Sequence, residues 1–447
     1  MKNNYTEKEP ATGSPSNLST RDLISNKTIQ QIGSAVNQSN NNTQLAQPTQ
    51  SSQTKTRAKS KPVLINDVVK VLNTMHIAVK YNVISGRMEI TGMPKVHSAE
   101  NAENVLPILI CDHFRSNGKN VSVQTITDAL IVIADRNRYN PVVDMLNSVK
   151  YDGYDYLSVI DKILGICDNA QGRKLLRKWM HQTIALALND ECDPYGADGV
   201  LVLQGDQGAG KTQFFRILSV FSKLFAEGVS IDTDSKDSIM QATSVWIAEL
   251  GELDSTLKRE QSSLKAFITA AQDTYRAPYA RAATRRARRT SLCGTVNPDL
   301  FLYDETGSRR YWIIHVDHID LTTLMGLTSE WLIHMWQQVY VQYYLPNPQG
   351  FRLSPEERSE LLASNKGYEK PMPGELDIVD RLDLDRPESE WKYYTTSDVM
   401  QFLNIRGVSS SQIGKVLTKL AKNDPRITVK TSHNVKTYRL PPLPDYS

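Results

Sequence analysis

The chain has 447 residues, a net charge of +3, 40% hydrophobic residues and 23% charged residues, which is typical of a folded protein with several domains. No apolar run approaches the ~18 residues of a membrane-spanning helix, and the polar N-terminus lacks the apolar core of a secretory signal. The four scattered cysteines predict reduced thiols without structural zinc, and the small net charge restricts any nucleic-acid binding to local basic patches.

Residues 1–62 are a polar segment rich in Asn, Gln, Ser and Thr that ends in the basic cluster KTRAKSK. Such a composition cannot bury enough apolar surface to offset the entropy of ordering, so we predict a disordered tail. The basic cluster is either a solvated linker or an arm that contacts DNA or a partner.

Residues 63–192 show the spacing of a mostly helical module. The stretch HIAVKYNVISGRMEITG alternates around a Ser-Gly turn and predicts a β-hairpin. Amphipathic runs before and after it predict helices, and one of these runs breaks before Pro141.

Short apolar runs and helical runs alternate through residues 193–345. GVLVLQG, SVWIAEL, TSLCGTVN and RRYWIIHV predict four strands of a parallel α/β sheet.

Residues 346–389 are predicted to be a linker. In residues 390–447 two short helices precede two strands, and this order predicts a winged helix-turn-helix.

The stretch LQGDQGAGKTQFF, residues 203–215, fits the pattern G-x-x-x-x-G-K-[ST] between an apolar strand and a helix. Glycines let backbone N–H groups turn toward phosphates, and the helix that follows presents its positive end to them. The lysine would reach the β- and γ-phosphates and the threonine would bind Mg²⁺. The sequence therefore predicts an ATP and Mg²⁺ site formed by Gly205, Asp206, Gln207, Gly208, Ala209, Gly210, Lys211, Thr212 and Gln213.

Two acids and an asparagine follow the next predicted strands. We assign Glu249 to the metal and Glu252 to the base that activates water, although the reverse assignment fits nearly as well. Asn297 ends the third strand, where it would lie beside the γ-phosphate. The alternatives are two solvated helix-capping glutamates and an Asn-Pro turn.

Arg309 and Arg310 follow a Thr-Gly-Ser turn and open the fourth predicted strand, so they would point to opposite faces. Arginine suits the neutralisation of phosphate charge in a transition state. The alternative is an ion pair with Asp304 or Glu305.

Two basic patches predict DNA contacts. Between the second and third strands the chain has no acid from Thr274 through Pro298, so clustered arginines there would repel one another without a polyanion. A solvated loop, or the nucleotide of a neighbouring subunit, are the alternatives. The second patch lies in the predicted winged helix, where a solvated face of a packing module is the alternative. The predicted DNA-binding residues are Arg276, Arg281, Arg285, Arg286, Arg288, Arg289, Lys415, Lys419, Lys430 and Lys436.

The order and spacing of LVLQGDQGAGKTQFFRIL, VWIAELGELD, YRAPYAR and CGTVNPDLFLYDETGSRRYWII resemble the ATPase domain of the virulence-associated protein E family. The resemblance covers roughly residues 65–345. It implies a P-loop NTPase of AAA+-like class, related to superfamily-3 helicases, and a hexameric replicative DNA helicase of a mobile element in the bacterial cytoplasm. It also implies Asn297 as sensor and Arg309 or Arg310 acting on the neighbouring subunit.

Three functions remain open from the sequence. The first is a ring-forming ATPase that translocates on DNA, with single-stranded DNA and origin duplex as partners. The second is an origin-binding initiator or helicase loader without unwinding activity. The third is a DNA-binding regulator whose ATP site controls assembly. No cluster of acids in residues 1–190 supports a primase.

Overall fold

The computed structural model describes residues 62–251, 253, 261–275, 284–302 and 308–443. The chain divides into Met1–Lys59 and Ser60–Ser447, and the structural statements below concern the second unit. The predicted disordered tail falls almost entirely outside the described residues. None of the helices in the described ranges is long and apolar enough to cross a membrane.

The N-terminal part consists of helices around a small sheet. Its elements are α1 (Ile65–Thr74), β1 (Ala78–Asn82), β2 (Arg87–Thr91), α2 (Ala102–Ser116), α3 (Val123–Arg136), β3 (Arg138–Tyr139), α4 (Pro141–Asn147), α5 (Tyr156–Ile163) and α6 (Ala170–Ala187). β1 and β2 form the predicted hairpin, and β3 pairs with β1 in parallel. The helical run breaks at Pro141 as predicted, because Asn140 caps the new helix by accepting from the Val142 N–H at 3.0 Å.

The central part alternates strands and helices. Its elements are β4 (Val200–Gln204), α7 (Lys211–Leu218), β5 (Phe225–Val229), α8 (Lys236–Ala242), β6 (Ile247–Leu250), α9 (Gln261–Ile268), β7 (Gln272–Tyr275), β8 (Thr284–Ala287), β9 (Ser291–Val296), β10 (Tyr311–His315), α10 (Leu321–Gly326), α11 (Ser329–Val339) and α12 (Pro355–Asn365). Five strands form a parallel sheet in the order β10-β4-β9-β6-β5. The α/β class with a parallel sheet is therefore confirmed.

Both faces of this sheet are covered, which explains why β4 reads as an unbroken apolar run. Leu201 and Leu203 pack with the helices on one face, while Val200 and Val202 pack in the core on the other face. β5 was not predicted, and β7 and β8 pair as an antiparallel hairpin in the segment that the sequence indicated as a basic loop.

Helix α6 joins the N-terminal helices to the sheet. The Trp179 indole N–H donates to the Leu292 carbonyl at 2.9 Å, and the Gln182 amide donates to the Gly199 carbonyl at 2.8 Å. Side chains of α4, α5 and α6 share one hydrophobic core with β4, β9 and β10. The boundary predicted at residue 193 thus falls between two elements of a shared core, and the predicted domain limits stay predictions.

The C-terminal part has a core of its own. Its elements are α13 (Glu375–Val379), β11 (Lys392–Thr395), α14 (Thr396–Phe402), α15 (Ser410–Asn423), β12 (Val429–Ser432) and β13 (Val435–Leu440). The strands form an antiparallel sheet in the order β11-β13-β12. The two helices and last two strands lie where the sequence predicts them, β11 is additional, and the core also includes Ile378 and Leu382.

His181 on α6 makes the stability of the fold sensitive to acid. Its side chain is 3% exposed, its Nε2 has no hydrogen-bond partner among the described residues, and Tyr343, Tyr344 and Phe351 surround the ring. Burial, with a smaller contribution from the nearby Lys178, lowers the pKa of His181 from 6.5 to about 4, although backbone hydrogen bonds with Asn347 and Pro348 oppose the shift.

We expect unfolding experiments to show this titration. Below pH 6.5 the imidazole takes up a proton in the unfolded chain but stays neutral in the folded one. The contribution of neutral His181 to the free energy of unfolding is therefore complete above pH 6.5 and is lost as the pH falls to 4. The shift corresponds to about 3 kcal/mol. Denaturant titrations at pH 7 and 4.5 should show a smaller loss for His181→Phe than for the wild type. The exposed His318→Phe should keep the wild-type loss, and equal losses in all three proteins would contradict the prediction.

Candidate functional site

The glycine-rich loop, residues 205–210, joins the carboxyl end of β4 to the first residue of α7. Gly210 has φ +90°, and a Cβ on it would lie 2.4 Å from Leu321 Cδ2. A Cβ on Gly205 would lie 2.1 Å from the Val316 carbonyl oxygen. Larger residues do not fit at either position, and the loop is held against the segment that follows β10.

Lys211 begins α7 and crosses the loop. Its side chain is largely buried, and Nζ donates to the carbonyl oxygens of Gly205 at 2.8 Å and Asp206 at 2.6 Å, and to Asn297 Oδ1 at 3.0 Å. Burial lowers the pKa of the Lys211 ammonium, and the Asp206 carboxylate opposes that shift. Two predicted site residues, Lys211 and Asn297, are therefore in direct contact.

Glu249 lies on β6 with its carboxylate turned toward α7. It is 3% exposed, and its Oε1 accepts from the hydroxyls of Thr212 at 2.7 Å and Thr295 at 2.9 Å. Burial raises the pKa of the Glu249 carboxyl, and the two hydroxyls partly oppose this. Thr212 and Glu249, both predicted site residues, are thus in direct contact, whereas Glu252 lies outside the described residues.

Thr295 was not predicted, although its position carries a signal. It is a polar residue within the apolar strand β9, two residues before Asn297, and side chains two apart share one face of a strand. β9 lies between β4 and β6, so Thr295 is placed beside the acid of β6. Sequence alone does not give that order of strands.

A polar network ties the end of β4 to its neighbours. Gln204 is buried, and its Oε1 contacts His315 Nδ1 at 2.5 Å while its Nε2 donates to Asp299 Oδ1 at 3.0 Å. His315 Nε2 lies 2.9 Å from Asp317 Oδ1. This network links the strand before the glycine-rich loop to β10 and to the segment that contains Asn297, and no pattern in the sequence predicted it.

Arg309 and Arg310 lie in a short 3-10 turn, Ser308–Arg310, and not in β10 itself. The prediction that they point to opposite faces of a strand is therefore wrong. Arg309 is exposed and Arg310 is half-buried. β10 begins at Tyr311, whose register partner is Val200 at the start of β4.

The arginines and the glycine-rich loop consequently lie at opposite edges of the sheet. β4 has five residues, which places the two edges about 16 Å apart. The guanidinium groups therefore lie remote from the glycine-rich loop of their own chain.

The arginines of β8 and the residues that follow it are mostly engaged within the fold. Arg288 is 1% exposed, pairs with Asp273 through Nη2–Oδ1 at 2.5 Å, and stacks over the Phe267 ring at 4.3 Å. Arg289 pairs with Glu191 at 3.2 Å. The expectation of unpaired arginines is wrong for both residues, and burial removes Arg288 from the candidate DNA contacts.

The other arginines of this patch differ in exposure. Arg286 Nη2 donates to the Val83 carbonyl at 2.5 Å and so holds the turn of the N-terminal hairpin. Arg285 is exposed. Arg276 and Arg281 lie outside the described residues, between β7 and β8.

The predicted lysines of the C-terminal part separate into two groups. Lys419 is 13% exposed and pairs with Glu375 at 2.9 Å and Glu369 at 3.8 Å, so its charge is already compensated. Lys430 stacks over the Tyr393 ring at 4.1 Å.

Lys415 and Lys436 instead line a groove between α15 and β13. The groove is also lined by Lys422, by hydroxyl side chains and by the compensated Lys419, and no carboxylate lines it among the described residues. This groove is therefore a basic concave surface of the C-terminal part.

A family model described as the virulence-associated protein E-like domain matches residues 146–370. No curated protein matches the sequence. "The apo structure of NrS-1 C terminal region (305-718)" is 13% identical, with 83% of this chain and 97% of that chain covered and a TM-score of 0.39. "The A form apo structure of NrS-1 C terminal region-CTR" is 14% identical, with 83% and 98% covered and a TM-score of 0.37. TM-scores below 0.5 do not establish a shared fold.

Proposed function

Because the chain belongs to the virulence-associated protein E-like family, we propose that it is an ATP-driven replicative DNA helicase of a mobile genetic element. In this proposal the chain forms a ring, hydrolyses ATP at the interfaces between subunits and translocates on DNA in the bacterial cytoplasm. The observation that carries the proposal is the meeting of Thr212, Glu249 and Lys211 around one glycine-rich loop.

The loop has the properties of a phosphate-binding site. Lys211 Nζ already has three oxygen partners, two of them loop carbonyls, and oxygens of a bound triphosphate would take the place of these partners. The N-terminal N–H groups of α7 add positive potential at the same place. We assign the phosphates to residues 205–213 and the γ-phosphate side to Asn297.

Mg²⁺ fits the oxygen pair formed by Thr212 and Glu249. Magnesium is held by few protein oxygens together with substrate phosphates and water. The bound cation would neutralise phosphate charge during transfer.

The Thr212–Glu249 hydrogen bond would give way when both oxygens face a cation. Glu252 would then orient and deprotonate the attacking water. In the reverse assignment, which also stays part of the proposal, Glu252 faces the cation and Glu249 is the base.

The sheet and the C-terminal part support the finer fold assignments. β9 lies between the strand that precedes the loop and the strand that carries Glu249, an arrangement that fits an AAA+-like P-loop ATPase. The succession α13, β11, α14, α15, β12, β13 with the sheet order β11-β13-β12 fits a winged helix. A ring is supported by Arg309, because its exposure and distance from its own loop leave it available to a neighbouring chain.

DNA binding is supported by the groove beside α15. Lysines, hydroxyls and helix N-termini are the groups that commonly contact the DNA backbone. The groove's one aromatic ring among the described residues is Tyr438, which is 1% exposed. Because it offers no ring for base stacking, we assign duplex DNA to this groove, and single-stranded DNA to the β7–β8 hairpin with Arg276, Arg281 and Arg285.

The groove also favours a second candidate, an origin-binding initiator or helicase loader that does not unwind DNA. A third candidate is a DNA-binding regulator whose ATP site controls assembly only. Stimulation of ATP turnover by single-stranded DNA separates the first candidate from the third, and unwinding separates the first from the second.

We expect the full chain to separate a forked duplex in the presence of ATP and Mg²⁺. We expect the Glu249→Gln variant to bind ATP but to turn it over on the order of 10²-fold or more slowly than the wild type. Strand separation is measured with a fluorescent fork, and nucleotide binding with a fluorescent ATP analogue. The exposed Glu330→Gln, on α11, is the matched control and should unwind normally. DNA-stimulated turnover without unwinding would support the second candidate, and ATP binding with no DNA-dependent turnover would support the third.

A further inference from the structure

Asn365 holds the turn that contains the two arginines. It is the last residue of α12 and is 0% exposed. Its Nδ2 donates to the Ser308 carbonyl at 2.7 Å and to the Tyr311 carbonyl at 3.0 Å. These two carbonyls directly flank the arginine pair, so a single amide group holds the turn on both sides.

The chemistry of these contacts requires a group that donates two hydrogen bonds. Carbonyl oxygens only accept hydrogen bonds, so a buried group that meets two of them must supply two hydrogens. The Asn365 Oδ1 has no hydrogen-bond partner among the described residues, so this side chain is oriented by its donors alone. A carboxylate of the same shape would place oxygen against oxygen at both contacts.

We infer that Asn365 is a positioning residue for Arg309 and sets the reach of its guanidinium toward the nucleotide of a neighbouring chain. This inference rests on the proposed function. A 3-10 turn of three residues has few internal hydrogen bonds, so its geometry depends on external partners. The Arg309 side chain is exposed. Asn365 fixes the turn from the core side.

The segment that supplies this residue was predicted to be a linker. α12 instead packs through Leu361, which is 1% exposed, into the core under the sheet. Through Asn365 the turn is therefore bonded to a helix that packs in this core. A purely structural role for Asn365 would affect stability alone, whereas a positioning role affects only the chain that contributes the arginine.

The experiment uses three variants of the full chain. Asn365→Ala removes both donors, Asn365→Asp replaces them with acceptors, and the exposed Ser364→Ala is the matched control. We expect both Asn365 variants to bind ATP with wild-type affinity and to lose about 10²-fold in turnover, the typical cost of a misplaced catalytic group. Ser364→Ala should match the wild type. If Asn365→Asp does not fold, Asn365→Ala carries the test.

Mixtures then locate the defect. An Asn365→Ala chain keeps an intact nucleotide site, and a Lys211→Ala chain keeps an intact arginine turn. In an equal mixture about a quarter of the interfaces join the two intact halves, so turnover should recover to a comparable fraction of wild type. A mixture of Asn365→Ala with Arg309→Ala should not recover, because both chains lack the same half.

The outcomes distinguish two failures. If Arg309→Ala and Lys211→Ala do not complement each other, the shared site of the proposed function is wrong. If they complement but Asn365→Ala does not complement Lys211→Ala, only the positioning role is overturned. Recovery of ATP turnover in a mixture of Asn365→Ala and Arg309→Ala chains would also overturn the positioning role of Asn365.

Discussion

We expect Lys211→Ala to lower ATP turnover by on the order of 10³-fold, because phosphoryl transfer depends almost entirely on positioning and on charge neutralisation. The Lys211 ammonium is the buried cation at the loop, and it reaches Gly205, Asp206 and Asn297. Its removal therefore deletes the positive charge and separates the loop from Asn297. Turnover is measured by phosphate release with and without single-stranded DNA.

The control must separate loss of charge from loss of fold. Lys70→Ala removes an exposed lysine of α1 and should retain wild-type turnover. Lys211→Ala also removes three internal hydrogen bonds, so its thermal midpoint is compared with that of the wild type. Wild-type turnover in a folded Lys211→Ala protein would show that the nucleotide site lies elsewhere.

Arg309→Ala should lower turnover by roughly 10³-fold or more while ATP still binds, since an arginine supplied in trans acts mainly on the transition state. Arg309 is exposed and lies at the edge of the sheet opposite to its own loop. We therefore expect the larger effect at Arg309 and a smaller catalytic effect at the half-buried Arg310. Arg309→Lys should remain impaired, because lysine lacks the planar fork.

Mixing experiments test whether this action crosses between chains. Arg309→Ala chains mixed with Lys211→Ala chains should regain turnover that neither has alone. The control is a chain that carries both substitutions, which cannot form an intact interface with Lys211→Ala. If Arg309→Ala alone turns over ATP at the wild-type rate and Arg310→Ala does not, the roles of the two arginines are reversed.

Features that depend on a local pattern of neighbouring residues were predicted from the sequence. The glycine-rich loop, the apolar strands before and after it and the Pro141 break are local patterns, and the structure has these elements at the predicted positions. β5 escaped prediction because Glu227 and Gly228 interrupt its apolar pattern at the edge of the sheet.

Features that depend on tertiary contacts were not predicted. Arg288 reads as an unpaired cation because its partner, Asp273, precedes the acid-free stretch by one residue and meets it only across the β7–β8 hairpin. The Thr295 contact with Glu249 depends on the order of the strands. Asn365 contacts a turn more than fifty residues away in the chain. Neither a hydrophobic periodicity nor a short motif predicts contacts between residues that lie so far apart in the chain.

The attachment of α6 to the sheet has a consequence for how the molecule comes apart. Trp179 and Gln182 bond to the backbone of the sheet region, and the Trp246 indole donates back to the Thr183 carbonyl at 3.0 Å. Because one core contains both, α6 and the sheet should melt in a single cooperative heat-absorption step. A protease that cuts the exposed residues 190–193 would then leave two pieces that stay associated until that temperature is reached.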